Sequence, residues 1–203
     1  MKLKIIDNTL NDSLLTSIQK QIESPSMPWY FIENSVDPDD KELVKQAPLN
    51  YEFYHLALEY KNKAALSPLH DMTNSLGLIL KDLFELKKTY NIVRLRWGMT
   101  TTLNKIHRHT PHTDMQNSSD AYIPHKVILF YLRDSDGDTY FYDKEHKIID
   151  SVTPKENRAV LFDGSILHSS SKPIEFVRRI VLNINLVREK EHPYYLYQKK
   201  GAK

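Results

Sequence analysis

The sequence predicts a mainly β protein, a sandwich or barrel with helices gathered at its N-terminal end. Three observations predict it. After Tyr90, short apolar or alternating segments recur between turn signals; before it, apolar residues recur at helical spacing in two stretches; and 203 residues with 40% hydrophobic side chains suffice for one sizeable core.

The elements follow in order. Lys2 to Asp7 alternates enough for a short strand. Asn11-Asp12-Ser13 offers an N-cap to a helix carrying Leu14, Leu15, Ile18 and Ile22. Pro25, Pro28 and Pro38 surround Trp29-Tyr30-Phe31, which predicts a loop with a short extended piece. A second helix is expected from about Asp71 to Lys88, where Leu76, Ile79, Leu80, Leu83 and Phe84 form one core-packing stripe. From Asn91 the chain alternates, with Val93, Leu95 and Trp97 on one face and Ile92, Arg94 and Arg96 on the other. Val127 to Leu132 is continuously apolar, as in a strand covered on both sides. Asp136-Gly137 marks a turn and Thr139 to Tyr142 a returning strand, predicting a hairpin with a loop of several residues. Ala159 to Phe162 and Phe176 to Val187 are further strands. The expected organisation is a single domain over 1–203: a mainly helical flank over 1–90 and the β core over 91–190.

Composition narrows the function classes. The absence of cysteine excludes disulfides and thiolate-held metal sites. No apolar run approaches the roughly 18 residues of a membrane span. Met1 to Leu10 carries lysines but no apolar stretch of the kind a signal peptide needs, so a cytoplasmic protein is expected. A net charge of +2 lacks the basic footprint of a nucleic-acid binder. Between Leu86 and Thr113, however, Lys87, Lys88, Arg94, Arg96, Lys105 and Arg108 occur without one carboxylate. That stretch is either a solvated face or a positive wall beside a site for anionic ligands.

One constellation carries chemistry. In His112-Thr113-Asp114, extended backbone projects the imidazole and the carboxylate from the same face. Two such ligands rarely hold a transition metal, and His168 is the candidate for a third. Two histidines and one carboxylate on one face of an octahedron leave three positions open, the pattern of non-haem Fe(II) that also binds substrate and O₂. Taken alone, a His-x-Asp pair among nine histidines is weak. The last strand adds a second signal. Alternation separates Arg178, Ile180, Leu182, Ile184 and Leu186, expected to face packed helices, from Arg179, Val181, Asn183 and Asn185, expected to face a polar interior. An arginine turned inward needs an anion, and a planar guanidinium suits the end of a dicarboxylate.

The ordered set from His112 to Leu186 resembles the Fe(II)/2-oxoglutarate-dependent dioxygenases, in particular the prolyl-4-hydroxylase-like branch and its phage and marine microbial relatives. The matching pieces are His112-Thr113-Asp114, Phe130-Tyr131-Leu132 followed by Asp136-Gly137-Asp138-Thr139, Pro154 to Phe162, His168, Pro173 and Arg179-Ile180-Val181, with Ile5 to Leu10 similar to the family's usual lead-in. The resemblance implies a double-stranded β-helix, or jelly roll, with N-terminal α-helices. It implies His112, Asp114 and His168 as iron ligands, and Arg179 on the distal carboxylate of the cosubstrate 2-oxoglutarate. Tyr131 would share that carboxylate or stand as a core tyrosine. The implied activity is hydroxylation of an unactivated C–H bond, using Fe(II), 2-oxoglutarate and O₂ and needing no extra general base. Two departures stand out: Gly137-Asp138 where the family commonly has Gly-Gly, and Asn157 where a glycine is usual, a change that a left-handed asparagine tolerates. The spacing from His168 is loose enough to leave Arg178 as the alternative to Arg179.

Other readings stay open. His107 and His109 with Asp114 are similar to a cupin ligand set, but cupins normally use glutamate and flanking glycines, so both histidines read as loop or rim residues. Asp134, Asp136 and Asp138 lack the glycine and closing glutamate of a calcium loop and read as a polar hairpin tip. A jelly-roll binding module without metal is the non-enzymatic alternative. The nucleic-acid demethylase branch carries a second arginine six positions after the cosubstrate arginine, where this chain has Asn185. The substrate is a protein, peptide or small molecule, with peptidyl proline suggested by family analogy alone. Arg94 and Arg96 are candidate rim residues, Trp29-Tyr30-Phe31 a candidate lid, and Tyr194, Tyr195 and Tyr197 dock a partner or cover the core.

Overall fold

A computed structural model describes residues 2–35, 49–59, 67–86, 88–115 and 123–188. Among these residues two helices, α1 (Asp12–Ile22) and α2 (His70–Leu83), accompany ten strands: β1 (Lys4–Ile6), β2 (Tyr30–Ile32), β3 (Glu52–Glu59), β4 (Tyr90–Thr101), β5 (Lys126–Tyr131), β6 (Thr139–Tyr142), β7 (Ile148–Val152), β8 (Arg158–Asp163), β9 (Leu167–Ser170) and β10 (Arg178–Arg188). They form a seven-stranded sheet in the order β1-β8-β5-β10-β4-β3-β2 and a three-stranded sheet β7-β6-β9, with every recorded pairing antiparallel. Among the described residues no helix is long and apolar enough to cross a membrane.

The large sheet separates two cores. On one side Ile128, Phe130, Ile180, Leu182, Ile184 and Leu186 pack with Leu15, Ile18 and Ile22 of α1 and Leu76 and Leu80 of α2. Asn11 caps α1, its side chain accepting from the Leu14 amide at 2.9 Å, which satisfies one of the helix's orphan donors. On the other side Val127, Leu129, Tyr131, Val160, Phe162 and Val181 meet Phe141 and Val152 of the small sheet. The candidate site lies between the two sheets, beside this second core.

Several sequence expectations change here. The region through residue 90 is not mainly helical: β1, β2 and β3 join the large sheet at its two ends. β5 and β6 do not form a hairpin. Both edges of β5 are taken by β8 and β10, so the chain leaves the large sheet and β6 pairs instead with β7 and β9. On β4 a bulge opposite Asn185/Leu186 breaks the alternation. Ile92 therefore packs on the helical side with Leu95 and Trp97, whereas Val93 turns to Ile123 and Val187. The second helix stops at Leu83, capped at Phe84, rather than near Lys88. Asp136 accepts from the Ile174 and Glu175 amides, so the expected hairpin tip instead fastens the loop before β10.

Candidate active site

The pairing of backbone at 112 and 168 brings the candidate ligands together. His112 and His168 exchange two amide-to-carbonyl hydrogen bonds of 3.0 Å, which sets their rings side by side with centroids 4.9 Å apart. Each ring donates Nδ1–H to the carbonyl two residues upstream, His112 to Thr110 and His168 to Ile166, both at 3.0 Å. A carbonyl can only accept, so Nδ1 carries the proton and Nε2 presents its lone pair. Asp114 Oδ1 lies 3.9 Å from Nε2 of His112 and 3.7 Å from Nε2 of His168. One donor atom from each of the three residues falls within 4.8 Å of the others.

The carboxylate is held from behind. Asn185 donates to Asp114 Oδ2 at 2.8 Å, and Asn183 reaches the same oxygen at 3.0 Å. Arg94 donates to the Asp114 carbonyl at 3.4 Å, with its guanidinium 4.0 Å from Oδ1. Burial opposes ionisation of Asp114, but His168 beside it overcomes this and holds the carboxyl well below its usual range. Burial likewise opposes charge on His168, yet the Asp114 carboxylate lifts that imidazole above its ordinary value. Burial, then the proximity of His168, pushes His112 down to about 4. The three residues thus offer two imidazole lone pairs and one anion, turned toward one another at a spacing that a divalent ion can bridge. This donor set fits Fe(II).

β10 sends its first two arginines to opposite faces. Arg178 turns outward, its Nη2 2.8 Å from Glu23 Oε1 on α1's C-cap. Arg179, 4% exposed, donates from Nη2 to Thr139 Oγ1 at 2.9 Å, and its guanidinium carbon lies 5.5 Å from the Tyr131 ring centre. The Tyr131 hydroxyl bonds the same Thr139 oxygen at 2.8 Å. Burial lowers the affinity of Arg179 for its proton, as expected of an inward-turned cation. Its Nε has no hydrogen-bond partner among the described residues. Gly137 makes this packing possible. A Cβ there would sit 2.7 Å from the Ser171 carbonyl oxygen and 3.1 Å from Arg179 Cδ, so close approach, not a special φ, requires the glycine.

The remaining candidates divide. Arg94 belongs to the surroundings of Asp114 rather than to a rim. Arg96 pairs with Glu52 and lies over the Tyr54 ring. His109 is not a rim residue, being 3% exposed, and His107 stacks edge-on against it at 5.8 Å. The group that could hold a metal among the described residues is His112, Asp114 and His168, without His107 or His109. Trp29 packs onto the helical core, while Tyr30 and Phe31 stand exposed on the edge strand β2. Tyr194, Tyr195 and Tyr197 lie outside the described residues, as do Pro38 and Lys87. Sequence reasoning missed Thr139, and it placed Asn183 and Asn185 on the polar face of β10 without a task.

The sequence matches no family profile and no curated protein. Solved structures are another matter. A 2OG-Fe(II) oxygenase-family oxidoreductase from Burkholderia pseudomallei superposes with a TM-score of 0.67 at 11% identity, over 92% of this chain and 85% of that one. The chain has the fold of the 2-oxoglutarate/Fe(II) oxygenases. A prolyl hydroxylase from Trichoplax adhaerens, in complex with a peptide fragment of the hypoxia-inducible-factor oxygen degradation domain, gives 0.63 at 16% identity over 93% and 84% of the two chains. HygX from Streptomyces hygroscopicus, with nickel, 2-oxoglutarate and hygromycin B bound, gives 0.57 at 12% identity over 92% and 83%. At these identities it is the oxygenase fold that is shared.

Proposed function

We propose that this protein is an Fe(II)- and 2-oxoglutarate-dependent dioxygenase that hydroxylates an unactivated C–H bond. The observation that carries the reading is the His112–Asp114–His168 cluster, with both Nε2 atoms free to ligate and facing one carboxylate oxygen. The two sheets are the two walls of a jelly-roll core, and residues 1–203 form one domain around it.

In this reading His112, Asp114 and His168 hold the iron. Bound iron with 2-oxoglutarate and O₂ supplies the oxidising power, leaving succinate and CO₂. The chain's own side chains do the rest. Asn185 holds Oδ2 of Asp114 and Asn183 donates to both carboxylate oxygens, which fixes the carboxylate with Oδ1 facing the histidines. Arg179 and Tyr131, joined through Thr139, receive the distal carboxylate of 2-oxoglutarate. Phe141, Phe162 and Val181 line the neighbouring core and keep water from the site. The substrate is a peptide or a small molecule, the two kinds bound by the structural neighbours; peptidyl proline rests on fold analogy alone.

The test is succinate formation from 2-oxoglutarate by the iron-loaded protein in air. The wild-type protein should produce it, and Asp114→Ala should not. Equal, background-level production by both contradicts the proposal.

A further inference from the structure

Three buried polar atoms at the Arg179 end of the site have no hydrogen-bond partner among the described residues: Arg179 Nε, Thr100 Oγ1 and His109 Nε2. Their residues are 4%, 2% and 3% exposed, so bulk water does not satisfy them. Topology brings them together. Thr100 on β4 is the register partner of Arg179 on β10. His109 arrives from the opposite wall, where its amide donates to the Ser170 carbonyl at 2.8 Å and its Nδ1 lies 3.3 Å from the Ser170 hydroxyl. Ser170 in turn is the register partner of Thr139, the residue that holds both Arg179 and Tyr131.

The sign of these groups identifies what they lack. The Ser170 hydroxyl can donate to His109 Nδ1, which leaves Nε2 as the protonated nitrogen of a neutral ring. Burial, with Lys172 nearby, favours that neutral form. Arg179 Nε is a donor only. The Thr100 hydroxyl is free to donate. Three buried donors gathered at this end call for an acceptor, and an ionised carboxylate, which accepts at several lone pairs and never donates, can serve them together. Lys172, 1% exposed and bonded to the Tyr51 carbonyl at 3.0 Å, adds positive potential at the same end.

We propose that His109 and Thr100 are cosubstrate-binding residues, donating with Arg179 to the distal carboxylate of 2-oxoglutarate and setting the pocket's selectivity for a dicarboxylate. This rests on the proposed oxygenase reading. It separates two parts of the cosubstrate: the iron-chelating keto-acid end, which pyruvate shares, and the distal carboxylate, which pyruvate lacks.

The experiment is isothermal titration of the metal-loaded protein without O₂, using 2-oxoglutarate and, separately, pyruvate. His109→Phe should weaken 2-oxoglutarate by about tenfold or more, the range expected for losing a hydrogen bond to a charged group. It should leave pyruvate unchanged. His109→Gln, which keeps an N–H near the Nε2 position, should restore most of the affinity. Thr100→Val should weaken 2-oxoglutarate alone in the same manner, and it replaces His109→Phe as the decisive variant if that protein does not fold. Unchanged 2-oxoglutarate affinity in the variants means that water fills the gap and overturns the inference. Equal weakening of both ligands means that His109 acts through the fold or the metal, and overturns it too. A wild-type protein that binds metal but neither keto acid instead overturns the oxygenase reading on which the inference stands.

Discussion

At the scale of single residues, the account turns on which arginine faces inward. Arg179 sits between the sheets against Thr139 and Tyr131, and Arg178 pairs with Glu23 on the surface. Arg179→Ala should reduce 2-oxoglutarate affinity by a factor of about 10 to 100 while metal binding persists. Arg178→Ala should leave that affinity intact and change stability by less than about 1 kcal/mol, as for other solvent-exposed ion pairs. The reverse result, measured by equilibrium titration and urea unfolding, would move the cosubstrate end to the other face of β10. The sequence could carry this distinction because a strand's period of two places neighbouring residues on opposite faces. It could not reveal Thr139 or Ser170, because a lone hydroxyl has no pattern. Asn183 and Asn185 were visible as polar residues in an otherwise apolar strand, but their partner Asp114 comes from a distant loop.

At the scale of elements, Asn157 shows how one side chain can anchor a strand entry. It adopts φ 63°, the left-handed region that the expected glycine would use. Its side chain accepts from the Thr9 hydroxyl and the Leu10 amide, each at 2.9 Å, and donates to the Leu10 carbonyl at 2.8 Å. The asparagine thus supplies the backbone freedom of glycine and also ties the N-terminal segment to the start of β8. Asn157→Ala should destabilise by about 2–4 kcal/mol, combining the left-handed penalty with lost buried hydrogen bonds. Asn157→Gly should cost less because it keeps the conformation. Equal midpoints for the two variants in chemical denaturation would show that the φ value carries no weight. Local reading served the capped helix α1 and the fully covered strand β5, whose signals are short-range. It failed where long-range pairing decides. The bulge at Val93 depends on β10, the crossover to β6 depends on β5's edges being occupied, and β3 mixes apolar and charged residues without a clean period.

At the scale of the whole molecule, acid should loosen the junction between the N-terminus and the large sheet. Arg158 hydrogen-bonds Asp7 at 2.7 and 3.1 Å and, assisted by Lys155, lowers its pKa from 3.8 to about 2. A folded-state pKa below the unfolded one stabilises the fold at pH above about 4, and that contribution is lost as pH falls through about 2. Asp7→Asn should therefore be less stable than wild type at pH 7, with the difference shrinking as pH falls from 4 toward 2. A difference independent of pH, followed by urea midpoints, would contradict the linkage. The two-walled architecture explains why the site was largely legible in order but not in detail. Backbone pairing at 112 and 168 and the inner face of β10 bring distant motifs together between the sheets, and their sequence order survives as the signature.

The central claim is that the triad and Arg179 form one site for iron and 2-oxoglutarate. Its most direct test is anaerobic titration of the Fe(II)-loaded protein with 2-oxoglutarate, followed through the visible metal-to-ligand charge-transfer band. The account predicts a saturable band that vanishes in Asp114→Ala and requires more 2-oxoglutarate in Arg179→Ala. Iron bound without any such band in the wild-type protein would contradict it.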